Sequence, residues 1–339
     1  MEKTEIIKSI TERTGGELYL GVVGAVRTGK STFIKKVIEN LVVPNIQDEY
    51  EKKRVLDEIP QSAQGKTIMT MEPKFVPSNA ASIQIEDFSA NVRLVDCVGY
   101  VIPGAKGYED ENGPRMVKTP WYDEQIPFVE AAEIGTNKVI KDHSTIGIVI
   151  TTDGSIGEIS RENYVEAEER IVSELREIGK PFIMVLNSTH PTNTYGVPVI
   201  PISVEDMAER DMYSILKSAL YEFPVLEVKI NMPDWIACLA PNNWLKKIYI
   251  EKIRESVVEI DKLKDIDTIT NHFSDCEYIK KAYLSDVDTS TGIVTVNLEC
   301  PDNLYNEVLK EIIGIDINSK SQLLKLFQDY EEAKTEYDQ

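Results

Sequence analysis

The chain has 339 residues, 42% hydrophobic and 28% charged, which leaves room for two domains and a sizeable core and excludes a disordered or collagen-like chain. Lysine and arginine number 37 against 57 aspartates and glutamates, a formal charge of −20 that repels nucleic-acid phosphates and anionic lipid headgroups, so no nucleic-acid partner is expected. No apolar run approaches the ~20 residues that span a bilayer, the N-terminal dozen residues hold no signal-peptide core, and Cys97, Cys238, Cys276 and Cys300 form no C-x-x-C pair, so a reducing cytoplasm is the expected location.

Strands and helices alternate from the start of the chain to about Pro224. Leu18 to Val23 reads as a short buried strand and Lys30 to about Asn40 as a helix. Ala81 to Glu86 and Asn91 to Val98 read as strands joined across Asp87 to Ala90. Ile146 to Thr151 is a β-branched strand. Arg161 to Gly179 follows as a helix with Tyr164, Ala167, Ile171, Leu175 and Ile178 on one face and Gly179 as its stop. Pro181 to Asn187 and Val197 to Ser203 continue as strands, and Asp206 to Phe223 as a helix. This order predicts an α/β fold with a mostly parallel, doubly wound sheet. Beyond Pro224 the pattern changes to a smaller α+β unit: a strand at Val225 to Ile230, a long helix from Asn242 to Leu263, a strand from Gly292 to Leu298, and helices near Asn303 to Ile313 and Ser321 to Ala333. The expected domains are 1–224 and 225–339.

The strongest chemical signal is Gly24-Ala25-Val26-Arg27-Thr28-Gly29-Lys30-Ser31, a match to G-x-x-x-x-G-K-[ST] with a strand before it and a helix after it. Such a loop curls so that successive N–H groups face phosphates, its lysine reaches the β and γ phosphates, and its serine hydroxyl meets magnesium. The start of the following helix, with Thr32, adds its positive dipole end. This predicts a P-loop NTPase with a nucleotide and Mg2+ as cofactors. A second signal, Asp96-Cys97-Val98-Gly99, ends a strand: Asp96 suits the magnesium shell and Gly99 offers a bare N–H to the γ phosphate. Between them, in Gly65 to Pro73, Thr67 and Thr70 both qualify as a hydroxyl that binds magnesium and senses the γ phosphate.

Two positions depart from the small GTPases. Their base-reading N-K-x-D is here Asn187-Ser188-Thr189-His190, with no carboxylate where guanine would be paired, so adenine is the expected base and Asn187 a nucleotide-site residue. Tyr100 stands where they carry a water-orienting glutamine, which predicts slow hydrolysis. The polar insert from Pro103 to Trp121 reads as an interaction surface tied to this switch, and His143 and His272 as isolated, structural or solvated groups.

These residues resemble the stage IV sporulation protein A family of spore-forming bacteria. The likeness runs through Gly21 to Lys36, Gly65 to Thr70, Glu72 to Pro77, Val95 to Tyr100, Glu109 to Met116, His143 to Gly147, Ile150 to Gly154 and Ala219 to Pro224. The resemblance implies an ATPase of the GTPase-like P-loop class that assembles with itself into the basement layer of the spore coat, around the forespore in the mother-cell cytoplasm. It also implies a small amphipathic membrane-anchoring peptide and other coat proteins as partners. By position it makes Lys30, Thr70 and Asp96 catalytic, with Ser31, Thr70 and Asp96 on the metal. Met71 departs from the family's frequent second threonine. The stretch after Pro191 is about a helix shorter than in the family, and the family carries a further C-terminal domain after the part that matches 338–339.

Overall fold

The structure, a computed structural model, describes residues 2–60, 74–86, 88–97, 99–105, 107–110, 113–119, 122–191, 200–315 and 319–337. The chain forms two units, Met1–Pro224 with Thr289–Thr291, and Val225–Asp288 with Gly292–Gln339. In the first unit the elements run α1 (Lys3–Arg13), β1 (Glu17–Val23), α2 (Lys30–Val37), α3 (Glu49–Asp57), β2 (Lys74–Ile85), β3 (Phe88–Asp96), four two-residue strands β4 (Glu109–Asp110), β5 (Gly113–Pro114), β6 (Met116–Val117) and β7 (Ile126–Pro127), then α4 (Phe128–His143), β8 (Ile146–Thr152), α5 (Glu162–Ile178), β9 (Phe182–Asn187), β10 (Ile200–Ile202) and α6 (Glu209–Tyr221).

The main sheet has six strands in the order β10-β9-β8-β1-β3-β2. Every pairing is parallel except β2 with β3. All seven residues of β8 are buried, as a strand covered on both faces requires. The chain leaves β1 towards β3 on one side and later returns to β8 on the other. The carboxyl end of β1 therefore lies at a topological switch point, where open α/β sheets bind ligands. On one face of the sheet Tyr164, Ala167, Ile171 and Leu175 of α5 pack with Val23, Val95 and Val149. Gly179 then stops α5 in the left-handed conformation (φ 73°), its N–H donating to the Leu175 carbonyl. The Lys180 ammonium closes the end of α4 by donating to the carbonyls of Ile140, Lys141 and Ser144 at 2.9, 2.6 and 2.6 Å.

The antiparallel β2 is the outer strand of the sheet, and α3 lies along it. Two acids of this region take amides of the strand: Glu58 accepts from the Ser78 N–H and hydroxyl, and Glu51 from the Ser82 N–H at 3.3 Å.

The second unit contains β11 (Glu227–Asn231), α7 (Asp234–Ala237), α8 (Trp244–Val257), β12 (Lys281–Asp288), β13 (Ile293–Glu299), α9 (Leu304–Ile313) and α10 (Lys320–Tyr337). Its sheet is β11-β13-β12, with β11 parallel and β12 antiparallel to the central strand.

Several element boundaries differ from the sequence expectation. β2 and β3 are longer than read and meet in a tight hairpin, Ile85 opposite Phe88, because Phe88 and Ala90 already belong to the inward-facing alternation. α2 gives way at Ile38 to a π-helical turn, Ile38–Val42. The helix expected from Asn242 to Leu263 is shorter: α8 ends at Val257, and where the helix was expected to stop a separate 3-10 stretch, Leu263–Phe273, buries Leu263, Ile266 and Ile269 at the spacing of three that such a helix stacks. Helices α1, α3 and α4 and strand β12 were not expected. α1 hides Ile6, Ile7 and Ile10 beneath a charged sequence.

Candidate functional site

The loop 24–29 leaves the buried end of β1 and runs into α2, whose N-cap is Gly29. A side chain at Gly24 would put a Cβ 2.1 Å from the Ile150 carbonyl oxygen of β8, so only glycine lets the loop turn this close to the neighbouring strand. The loop is pinned from inside: Thr28 is fully buried and its hydroxyl donates to the Ala25 carbonyl at 3.0 Å. Ala25 and Val26 are also buried, and Arg27 is exposed. Thr32, the third residue of α2, is half-buried.

Lys30 is 6% exposed and lies beneath the loop, with its ammonium donating to the Ala25 carbonyl at 2.6 Å and the Gly24 carbonyl at 3.4 Å. Burial lowers its pKa to about 8, and the nearby Asp96 carboxylate opposes the shift. The Ser31 hydroxyl donates to Asp96 Oδ2 at 2.8 Å. Burial raises the Asp96 pKa, against the Ser31 hydrogen bond and the Lys30 charge. A hydroxyl and a carboxylate meeting at the start of α2 form part of the hard-oxygen donor set that Mg2+ takes, so these residues fit the metal.

The segment after β3 closes over the loop. Gly99 sits so near that a Cβ there would be 2.5 Å from both the Gly24 carbonyl oxygen and Lys30 Nζ. Tyr100 pairs with Ala25 in a short parallel bridge: its N–H donates to the Gly24 carbonyl at 3.2 Å, and its carbonyl accepts the Val26 N–H at 2.9 Å. The Tyr100 side chain is buried, its hydroxyl donating to Glu174 of α5. Arg170 joins Glu174 at 3.1 Å and grips Glu133 of α4 with two bonds of 2.6 and 2.8 Å. Burial, then Glu174, pushes the Tyr100 pKa up, which keeps the phenol neutral. Nothing in motif spacing flags Glu174, because the contact is made across helix α5.

Asn187, at the end of β9, braces the loop. Its amide N–H donates to the Thr28 carbonyl at 3.0 Å and its Oδ1 accepts the Val204 N–H at 3.0 Å. Next to it, Ser188 donates to Asp153 at 2.7 Å, and Asp153 also accepts the Ser155 N–H at 3.0 Å. The structure thus brings together Gly24 to Ser31, Asp96, Gly99 and Asn187. Thr67, Thr70 and Met71 lie outside the described residues, as does Trp121 of the insert. The described part of the insert is folded onto α4: Val117 packs with Phe128, Ala131 and Ala132, and the Phe128 N–H donates to the Arg115 carbonyl at 2.8 Å. His143 stacks edge-on against Phe75, with ring centres 5.3 Å apart. His272 Nε2 lies 3.7 Å from a Glu259 carboxylate oxygen. No group of three or more possible metal-ligating His, Cys, Asp or Glu side chains occurs among the described residues, and none of their helices is long and apolar enough to cross a membrane.

Residues 1–224 match the family model described as stage IV sporulation protein A, ATPase domain, and residues 225–339 match that of its middle domain. The chain is 56% identical to stage IV sporulation protein A of Bacillus subtilis (strain 168) over 352 residues, covering all of this chain and 72% of that protein. It is 55% identical to the Bacillus anthracis protein of that name, with the same coverage. The protein of that name from Clostridioides difficile (strain 630) is 46% identical, over 98% of this chain and 70% of its own length.

Proposed function

Because the chain belongs to the stage IV sporulation protein A family, whose ATPase domain spans its first 224 residues, we propose that it is a sporulation ATPase of the GTPase-like P-loop class. In this reading it hydrolyses ATP slowly and uses the cycle to assemble with itself into the basement layer of the spore coat. It does so in the mother-cell cytoplasm, at the outer surface of the forespore, with coat proteins and a small amphipathic membrane-anchoring peptide as partners.

The observation that carries the reading is the junction of the loop 24–29, the buried Lys30 and the Ser31–Asp96 hydrogen bond at a switch point of the sheet. When bound there, magnesium supplies charge neutralisation on the phosphates; Ser31, Asp96 and Thr70 are the residues proposed to hold it. Lys30 meets the triphosphate's negative charge. The Gly99 N–H is proposed to donate to the γ phosphate, so departure of that phosphate frees the segment that begins there. Asn187 keeps the loop in shape while this happens. The absence of a carboxylate at 190 favours ATP over GTP.

One observation favours a second reading. The Tyr100 hydroxyl is tied to Glu174, as in a module that binds nucleotide without turning it over. Phosphate release from purified protein given ATP or GTP, with sedimentation of the same samples, separates the readings. ATP turnover accompanied by pelleting supports the first. Preferred GTP turnover returns the chain to a GTPase switch, and tight ATP binding with no release supports the static module.

A further inference from the structure

Between Ala25 and Thr28 the loop buries every side chain except Arg27. Arg27 is held there at a cost. Its φ is 62°, in the left-handed region where a Cβ crowds the following carbonyl and glycine is the unstrained choice. Glu86 is the other non-glycine residue with positive φ among those described, and it lies in the β2–β3 hairpin, where the turn demands it. Arg27 makes no such turn between strands, and its side chain is exposed. Strain kept at a ligand loop points to use.

Among the described residues the site also lacks something. Hydrolysis spreads negative charge over the γ-phosphate oxygens in the transition state. In the reading above, Lys30 already serves the triphosphate in the ground state. Tyr100, which follows Gly99, has its hydroxyl on Glu174. Arg161 caps α5 and Arg170 lies within it. Arg27 alone among these arginines belongs to the loop itself. Burial pushes the Tyr164 pKa up and the Arg27 charge opposes this, so in this conformation the guanidinium lies within electrostatic reach of α5.

We propose that Arg27 is a catalytic residue, an arginine supplied in cis that turns onto the γ phosphate in the transition state and compensates for the missing water-orienting side chain. This rests on the ATPase reading above. In the step it serves, the oxygen of water bonds to the γ phosphorus. The bond from that phosphorus to the β,γ-bridging oxygen breaks, ADP leaves with the electron pair, and the proton lost by water ends on inorganic phosphate. Arg27 donates to the γ oxygens and the bridging oxygen as their charge grows.

Arg27→Gly and Arg27→Lys test the assignment. Glycine suits the backbone at this position, so Arg27→Gly is expected to unfold at or above the wild-type temperature. Three quantities are compared: ATP affinity by competition with a fluorescent nucleotide, phosphate release, and retention of fluorescent ADP with aluminium fluoride, a mimic of the transferring phosphoryl group. For Arg27→Gly the expected result is affinity within about threefold of wild type and release reduced about 100-fold or more. Aluminium-fluoride-dependent retention is lost in Arg27→Gly and partly kept in Arg27→Lys. Affinity falling in step with release would make Arg27 an ordinary ground-state contact and overturn the proposal, as would unchanged release. A wild type that releases no phosphate removes the ATPase reading and this proposal together, whereas turnover indifferent to Arg27→Gly removes this one alone.

Discussion

Lys30→Met is expected to stabilise the nucleotide-free protein while abolishing its function. Lys30 is 6% exposed, and burial takes its pKa from 10.5 to about 8. Every tenfold loss of proton affinity is worth about 1.4 kcal/mol, so the charged ammonium costs the empty fold about 3 kcal/mol. The unfolded chain holds this proton up to about pH 10.5 and the folded chain only to about pH 8. The cost is therefore full below pH 8 and is relieved as pH rises from 8 to 10.5. Methionine has a similar length and no charge. Part of the gain is returned because Asp96, already pushed up by burial, loses the opposing charge of Lys30. The net expectation at pH 7 is a gain of about 1–3 kcal/mol, a rise of several degrees in melting temperature. Thermal and urea unfolding without nucleotide, in chelator, at pH 7 and pH 9.5 measures it. The gap between variant and wild type should narrow at the higher pH. A variant no more stable than wild type at pH 7, or a gap independent of pH, would refute the reasoning. In parallel, ATP binding by Lys30→Met should be lost, because the triphosphate loses its buried cation.

Asn187→Ala should cost about 1–3 kcal/mol in stability by orphaning the Thr28 carbonyl and the Val204 N–H, and should weaken ATP binding in competition assays because the loop loses its brace. Asp96→Asn should keep most ATP affinity and slow phosphate release, with the magnesium requirement shifted to higher concentration in a metal titration. Thr70→Ala should bind ATP within about tenfold of wild type, ~1.4 kcal/mol, yet pellet poorly after ATP addition. Normal pelleting would return Thr70 to the role of an ordinary loop residue.

The sequence was most legible where local chemistry is self-sufficient. A strand, a glycine-framed loop and a helix start are written contiguously from Leu18 to Lys36, and Tyr164 to Gly179 carries both its face and its stop. It was least legible where an element depends on something distant. α4 has Gly135, Thr136 and Asn137 at its centre and is closed by Lys180, which follows another helix. α1 was hidden by its charges, although Ile6, Ile7 and Ile10 carry the helical spacing. At the site, Ser31 and Asp96 could be read as partners in metal binding from motif chemistry. The turning of Tyr100 toward Glu174 depends on how α5 crosses the sheet, which no spacing rule encodes. The sequence motif points Asn187 at the nucleotide, and its hydrogen bonds to Thr28 and Val204 give it a bracing role.

The acids of α3 and its C-cap along β2 bear on how copies of this chain can associate. An outer strand of twelve residues offers a row of amides on which another chain's strand could grow. Here Glu51 and Glu58 occupy amides of that row, at Ser82 and Ser78, so an incoming backbone would have to displace carboxylates that are already bonded. Fibril-like stacking through this edge is thereby disfavoured. Any association of copies is left to side-chain surfaces, where shape and charge select the neighbour and its angle.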